Sequence, residues 1–568
     1  MHTLGISALT HDPAAALLGP SGELIAAFEE SKLLRQRETT GIPRNAIQFC
    51  LEQAGIGWQE LAGVAVAWRP LRAWTRQAWF RIKTLPRAPI ASGYYQARLL
   101  GELGRELNNF RILRLMAGGD RRRVVAFDHH LAHAASAFFA SPFERATLLT
   151  LDEQGDGLVG RIALGEGTHI RPLRHIAFPH SPAWVYTMTT DLLGFARHRD
   201  EHKTQWLALQ GEPVYKNLFL QLLGARHPHA PRLNQRYFRR GFAQRLAFSP
   251  ATLAALDLDP RAPRPGDAAH RSRIAASLQQ ACSELVLALA EAACRHTGIR
   301  QLCLAGGFFL NTALVADLQE RFGAEAVFVQ PAAGNEGTAV GAAWLHFYSS
   351  GHRSRAPAPA SLALGPDFTS EEAKRALDNC KARYRWLDTE AEKLEQTIRL
   401  LQAGKIVAWC QGRAEFGPRA LGHRSLLASP WAPYIKENLN EYIKHREAFR
   451  PFALSVTAEA ADRCFDSPGP NLSLTTLARV RPPFRERLQP FTLPGDRVRL
   501  HVVERTANPL FHRLLQQFGE QAPAPLLVNT SFNLFGEPLV VTPRDAIRSF
   551  YCSGVDALVL GNFLLTKE

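Results

Sequence analysis

The sequence predicts an α/β chain of more than one domain, and three observations carry that reading. Short apolar runs of strand length recur. Several of them end at once in Gly, Asp or His clusters that lead into alanine-rich helices. The pattern then restarts after a Pro- and Ala-rich stretch near residue 360. At 568 residues the chain is also too long for one ordinary core, so two to four domains are expected.

Taken in order, Thr3–Ser7, Ala14–Leu18 and Leu24–Phe28 read as the first three strands. Gly19-Pro20-Ser21-Gly22 supplies the turn between the last two. Val124–Phe127, Thr147–Leu151, Gln301–Ala305 and Ala326–Gln330 follow. In such folds the carboxyl ends of strands carry ligand chemistry. Ser349–Leu362, containing Arg-Ala-Pro-Ala-Pro-Ala, reads as a linker, after which a helix at Glu371–Asp378 and a strand at Ile406–Cys410 begin a second domain. The domains are therefore placed at 1–355 and 362–568.

With 46% hydrophobic and 21% charged residues the composition is that of a globular protein. The eight cysteines stand singly with no CxxC pair, which excludes zinc-knuckle and thioredoxin motifs and suits reduced thiols in the cytoplasm. No apolar stretch approaches the roughly 20 residues a membrane span needs, and no leader pattern opens the chain. The formal charge of +15 predicts anionic partners: nucleotides, phosphates, nucleic acid or an acidic carrier. Part of that charge is local. Between Trp68 and Arg123 basic residues interleave with Trp74, Trp79, Phe80, Tyr94 and Tyr95, either as a docking surface or as solvated helices with inward aromatics.

The strongest local signal is Asp128-His129-His130-Leu131-Ala132-His133, between a strand and an alanine-rich helix. His129 and His133, four apart, share a helical face and can reach one ion, with His130 as the weaker alternative. Such a pair also occurs in ordinary packing. Asp152 ends the strand Thr147–Leu151 and opens a loop through Gly155 and Asp156. Two imidazoles and a carboxylate suit iron, manganese or zinc. Leu304–Asn311, with Gly306 and Gly307, and Gly334–Ala343 have the form of phosphate-approaching turns, although a tight turn without a ligand has the same appearance. His11-Asp12 follows the first strand as either a general base or a turn cap. In the second half, Gly412–Ser425 sets Arg413, Arg419 and Arg424 among glycines. Lys444–Phe452 and Asn529–Asn533 add two further cationic or polar loops. Guanidinium forks match phosphate, so anion binding is expected there.

In order along nearly the whole chain, GISALTHDPAAAL, HHLAHAASAFF, LDEQGDG, LAGGFFLN, GNEGTAVGAA, EFGPRALGHRS, KHREAFRPF and NTSFNLFGEPLV resemble the O-carbamoyltransferases of antibiotic and nodulation-factor biosynthesis. The resemblance implies an actin/sugar-kinase/Hsp70-like N-terminal domain of two duplicated subdomains, close to threonylcarbamoyl-transferring tRNA enzymes. It implies a smaller C-terminal α/β carbamoyl-adenylating domain. It further implies that carbamoyl phosphate and ATP form carbamoyl-adenylate in the second domain, and that the first passes the carbamoyl group to a hydroxyl of a small-molecule acceptor, with no nucleic acid involved. A tRNA- or protein-directed transferase is the alternative.

By position, Lys444, Arg446, Ser531 and Asn533 match the family's anion-holding set, and Arg413, Arg419, Arg424 and Arg499 are grouped with them as carbamoyl phosphate or nucleotide contacts. His129, His133 and Asp152 match its ligands for a divalent metal, Fe(II) first, with Mn, Zn or Mg as alternatives. Gly155, Asp156, Gly306, Gly307 and Asn311 fall in nucleotide loops; Lys32, Arg35 and Arg37 fall near the second, transferring site; His11 is the base for the acceptor hydroxyl. Three departures stand out. The family's further metal-binding Asp is here Asn335, next to Glu336. Its Met-Gly is Gln205-Trp206. Its common Gln is His501.

Overall fold

The computed structural model describes residues 1–7, 11–69, 71–72, 74–76, 78, 89–119, 123–225, 231–238, 247–466, 472–534 and 536–567, without the side chains of 89–100 and 102. Much of the basic-aromatic stretch, including Trp79, Phe80, Arg81, Lys83, Arg87, Arg121 and Arg122 and the side chains of Tyr94, Tyr95 and Arg98, lies outside the described residues. The chain divides into two compact units. One comprises residues 1–24, 40–43 and 54–358, and the other 25–39, 44–53 and 359–568. Residues 25–39 and 44–53, read above with the first domain, thus group with the second.

Two five-stranded sheets organise the N-terminal half. The first has the order β3-β2-β1-β4-β5, built from β1 (His2–Ile6), β2 (Ala14–Leu18), β3 (Leu24–Glu29), β4 (Leu61–Val66) and β5 (Val124–Ala126). The second has the order β10-β9-β6-β7-β8, built from β6 (Arg145–Gly155), β7 (Leu158–Glu166), β8 (His169–Ala177), β9 (Leu302–Ala305) and β10 (Val327–Val329). Numbered within each sheet, both read 3-2-1-4-5. Strand 1 is antiparallel to strand 2 and parallel to strand 4, and strands 4 and 5 are parallel. This repeat is the duplication of an actin/sugar-kinase/Hsp70-like domain. The apolar runs Ala14–Leu18 and Leu302–Ala305 are buried at every position, as strands covered on both faces require.

The second unit is built on a ten-stranded sheet in the order β11-β20-β19-β12-β13-β18-β14-β17-β16-β15, with β11 (Arg385–Trp386), β20 (Phe563–Thr566), β16 (Leu477–Val480) and β15 (Phe465–Asp466) towards its two sides. Its central strands are β12 (Val407–Cys410), β13 (Arg424–Ala428), β14 (Ala453–Thr457), β17 (Arg497–Val503), β18 (Leu526–Ser531) and β19 (Ala557–Leu560). Period-two alternation sorts their side chains into two cores. Ala408, Cys410, Leu426, Leu526 and Val528 face one side. Val407, Trp409, Leu427 and Leu527 face the other, under the helices Glu390–Gln402 and Pro509–Gly519. Among the described residues no helix is long and apolar enough to cross a membrane.

Candidate functional sites

In the first unit, the helix His129–Ala140 starts with its N-terminus doubly held. Asp128 accepts from the Leu131 N–H (3.0 Å) and Asp156 Oδ2 accepts from the His129 N–H (2.8 Å). β6 brings Asp152 alongside. The strand runs further than its apolar core suggests, through Gly155, and its pairing with β7 is interrupted between Leu151 and Gly155. Asp156 (φ 52°) and Gly157 (φ 72°) then form the two-residue hairpin turn. The segment read as a ligand loop is therefore a bulged hairpin, and the bulge frees Asp152 from strict alternation.

His133 Nε2 lies 3.1 Å from His129 Nε2 and 3.1 Å from Asp152 Oδ2, and His129 Nε2 is 3.5 Å from the same oxygen. Among the described residues these three form the group of His, Cys, Asp or Glu side chains whose donor atoms converge. Two facing imidazole nitrogens cannot both present a proton at that separation, but both can present lone pairs to one cation. Burial lowers the His133 pKa to about 4 against the pull of Asp152. For Asp152 burial acts upward, but hydrogen bonds from His129 and His133 outweigh it and hold the carboxyl well below its usual range. A neutral His133 imidazole and an ionised carboxylate are the states a metal ion takes, and His129 turns a second ring nitrogen to the same point, so the residues fit one. Both Nδ1 atoms lack hydrogen-bond partners among the described residues, so packing sets the ring positions. A Cβ at Gly155 would lie 1.9 Å from the His129 ring, and Trp68 meets that ring edge-on at 5.7 Å.

The other calls in this unit are sorted by the same geometry. His130 turns away to Thr150 Oγ1 (3.0 Å) and is not part of the group. Glu336 is not part of it either, and the Asn335 amide nitrogen sits 3.0 Å from both ring nitrogens of His11. His11 pairs with Asp12 (2.9 Å); loss of solvation acts downward on its pKa, but that hydrogen bond and charge raise it overall. Three residues read as phosphate contacts have protein partners or close protein neighbours. Asp156 spends its carboxylate on the Arg69 and His129 N–H groups. Asn311 caps the helix Thr312–Phe322 through the Leu314 N–H and pairs with Gln279. Gly306, at φ 101°, is required because a Cβ would lie 2.1 Å from the Leu151 carbonyl oxygen. A Cβ at Gly307 would stand 3.2 Å from Asp152 Oδ1, which places that turn beside the triad.

In the second unit, neighbouring strands deliver cations to one edge of the sheet. Ser531 closes β18 opposite Ser425 at the start of antiparallel β13, and Arg499 on β17 lies opposite Ala453, the start of β14. Lys444, Arg446 and Arg450 occupy the loop entering β14, and Arg419 the loop entering β13. Lys444 Nζ donates to Ser531 O (2.6 Å), Asn533 Oδ1 (2.8 Å) and Asn533 O (3.1 Å). Arg446 donates to Asn440 Oδ1 (2.7 Å) and stacks over Phe452. Burial first, and then the charges of Arg446, Arg450 and Arg37, hold Lys444 well below the ordinary lysine value. Burial, then Arg419, Arg446 and Arg450, do the same to Arg499. Burial and Arg450 lower Arg419. Arginine keeps its proton at neutral pH, so this is buried and crowded positive charge that a bound anion would relieve. Arg450 acts on every member of the cluster. It lay inside a quoted motif but was not singled out.

Two arginines assigned to anions are loop fasteners instead. Arg413 donates to the Gly365, Ile25 and Leu364 carbonyls. Arg424, fully buried, donates to those of Gln411 and His423 and lies over Phe368. Lys32, Arg35 and Arg37, expected at the transferring site, belong to the second unit, where Lys32 meets residues 415–417 and both arginines meet Glu537. His501, buried, bonds Ser455 Oγ (2.9 Å) behind Arg499.

A cation-crowded edge on one sheet and a convergent two-imidazole, one-carboxylate triad on a duplicated kinase-type domain define a group-transfer enzyme. Family models bear this out: the carbamoyltransferase N-terminus matches residues 2–344 and the carbamoyltransferase C-terminus matches residues 398–567. The chain belongs to the carbamoyltransferase family. It is 34% identical to uncharacterized protein sll1178 of Synechocystis, over all of this chain and 97% of that one. It is 31% identical to nodulation protein NolNO of Sinorhizobium fredii, over 98% and 79%. It is 35% identical to the 3'-hydroxymethylcephem-O-carbamoyltransferase of Amycolatopsis lactamdurans, over 31% and 34%.

Proposed function

We propose that the chain is an ATP-dependent O-carbamoyltransferase that works in two half-reactions. In the second unit, water converts carbamoyl phosphate to carbamate and phosphate. A carbamate oxygen then attacks the α-phosphorus of ATP, giving carbamoyl-adenylate and pyrophosphate. Arg419, Arg446, Arg450 and Arg499 neutralise the phosphates, while Lys444 holds the Ser531–Asn533 turn against which the carbamate is oriented. The observation that carries this reading is the gathering of Lys444, Arg446 and Arg450 in the loop entering β14, Arg419 in the loop entering β13 and Arg499 on β17 at one end of the strands, where an anionic substrate would be the natural counter-charge.

In the first unit, an acceptor hydroxyl attacks the carbamoyl carbon, AMP leaves, and the hydroxyl proton passes to His11 once that imidazole has lost its own proton, which Asp12 retains there by raising the pKa. His129, His133 and Asp152 would hold a divalent metal, Fe(II) by family resemblance, which would supply Lewis-acid chemistry. A small-molecule alcohol is the acceptor class, by analogy with the cephem enzyme.

Pyrophosphate release from ATP with carbamoyl phosphate, measured without acceptor, tests the first half-reaction. Release is expected from the wild type and its loss from Lys444→Ala. A folded wild-type chain that releases none, or a Lys444→Ala variant at full rate, overturns the assignment.

A further inference from the structure

Both loops that present the anion site are irregular, and both are fastened by one short piece of chain from far earlier in the sequence. That piece is Glu29–Arg35, a member of the second unit. Lys32 Nζ is 2.8 Å from each of three acceptors: Glu29 Oε1, Glu415 O and Gly417 O. Glu29 Oε1 also accepts the Gly417 N–H at 2.8 Å. The loop is wrapped from inside as well, because Glu415 Oε1 accepts the N–H groups of Leu421, His423 and Arg424. Arg419 stands between these two sets of bonds.

Arg35, in the left-handed region at φ 56°, ends the helix Glu30–Leu34 and aims its guanidinium at the other loop. It donates to the Pro538 and Leu539 carbonyls and to Glu537 Oε2. Glu537 O in turn accepts from Asn533 Nδ2 at 2.6 Å. The side chains of Lys32 and Arg35 are 9% and 13% exposed; Lys32 Nζ and both terminal nitrogens of Arg35 face protein acceptors, and Arg35 Nε lies 3.5 Å from Asp545 Oδ1. Neither has the geometry of a ligand contact.

We propose that Lys32 and Arg35 are positioning residues of the donor site: Lys32, with Glu29, fixes the loop carrying Arg419, and Arg35 fixes the segment carrying Asn533. This rests on the reading of the cation cluster as that site. Misplacing an anion clamp by about 1 Å can weaken its action on the order of 100-fold, so the fasteners govern affinity without touching substrate.

The test is pyrophosphate binding by calorimetry on the whole chain. The variants are Glu29→Gln/Lys32→Met, which removes the buried pair together so that no lone carboxylate is left, and Arg35→Gln. Each is expected to raise the pyrophosphate Kd about tenfold or more with circular dichroism unchanged, and Arg35→Lys, which keeps the charge but loses the fork, to fall between. In the release assay the carbamoyl phosphate KM should rise more than kcat falls. Folded variants with wild-type Kd overturn the proposal; if one variant does not fold, the other decides, and if neither folds Arg35→Lys decides. A wild type that binds pyrophosphate more tightly than the variants yet releases none keeps this proposal and sinks the two-step reaction. A wild type that binds none overturns both.

Discussion

The two sites solve opposite electrostatic problems. In the first unit, two buried imidazoles face one carboxylate, and burial drives His133 toward the neutral form while Asp152 stays ionised. In the second unit, like charges gather at one end of the central strands, where burial first and then neighbouring arginines lower Lys444 and Arg499. The triad therefore gathers lone pairs for a cation, whereas the cluster accumulates charge for an anion. Holding lone pairs together requires tight walls, which Gly155 and Trp68 supply. Holding cations together requires fastened loops, which Lys444, Glu415 and the 29–35 segment supply.

The contrast is tested most severely by crossing the two sites. Arg499→Met is expected to lower acceptor-free pyrophosphate release about 100- to 1,000-fold, the scale of losing one preorganised charge contact. His133→Ala should leave that release near wild type while abolishing tight metal binding, read by elemental analysis after dialysis. Equal loss of release in both variants would mean that the sites are not chemically separate. A smaller effect is expected from Gly155→Ala, whose methyl must displace the His129 ring. Metal affinity should fall about 10- to 100-fold, as when a supporting contact of a ligand is disturbed, with pyrophosphate release unchanged.

The smallest expected effect is on stability with pH. Burial lowers His501 to about 3, beside Ser455. Its folded pKa lies below the unfolded value of about 6.5, so between those values the unfolded chain binds more protons and stability falls as pH falls. The slope from this residue is about 1.4 kcal/mol per pH unit at most. His501→Gln should therefore flatten the loss of thermal midpoint between pH 6 and pH 4 in buffers of those values; an unchanged slope would show that His501 does not titrate on unfolding.

The convergence of His129, His133 and Asp152 was legible because helical spacing and a strand end are local signals: His129 and His133 lie four apart, and Asp152 follows an apolar run. Lys444, Ser531 and Asn533, which the structure brings together, lie at or just past the ends of elements. The hairpin turn at Asp156-Gly157 is an Asp-Gly pair between two strands and could have been read as such. What stayed hidden was where donors point. Arg413, Arg419 and Arg424 look alike in a glycine-rich loop, yet only Arg419 joins the cluster, since the other two answer backbone carbonyls that no local pattern reveals. The fasteners were hidden by distance, because Lys32 meets a partner 383 residues away.

That distance has a consequence for how the chain is made. Residues 25–53 leave the ribosome long before the backbone groups that Lys32 and Arg35 grip are synthesised. At about 5–20 residues per second the wait for Glu415 alone is on the order of 20 to 80 s. Through that interval Lys32 and Glu29 have no loop to hold. The ten-stranded sheet is itself incomplete until Phe563–Thr566 has been made, so the nascent first unit must tolerate an unfinished segment threaded through its own sequence.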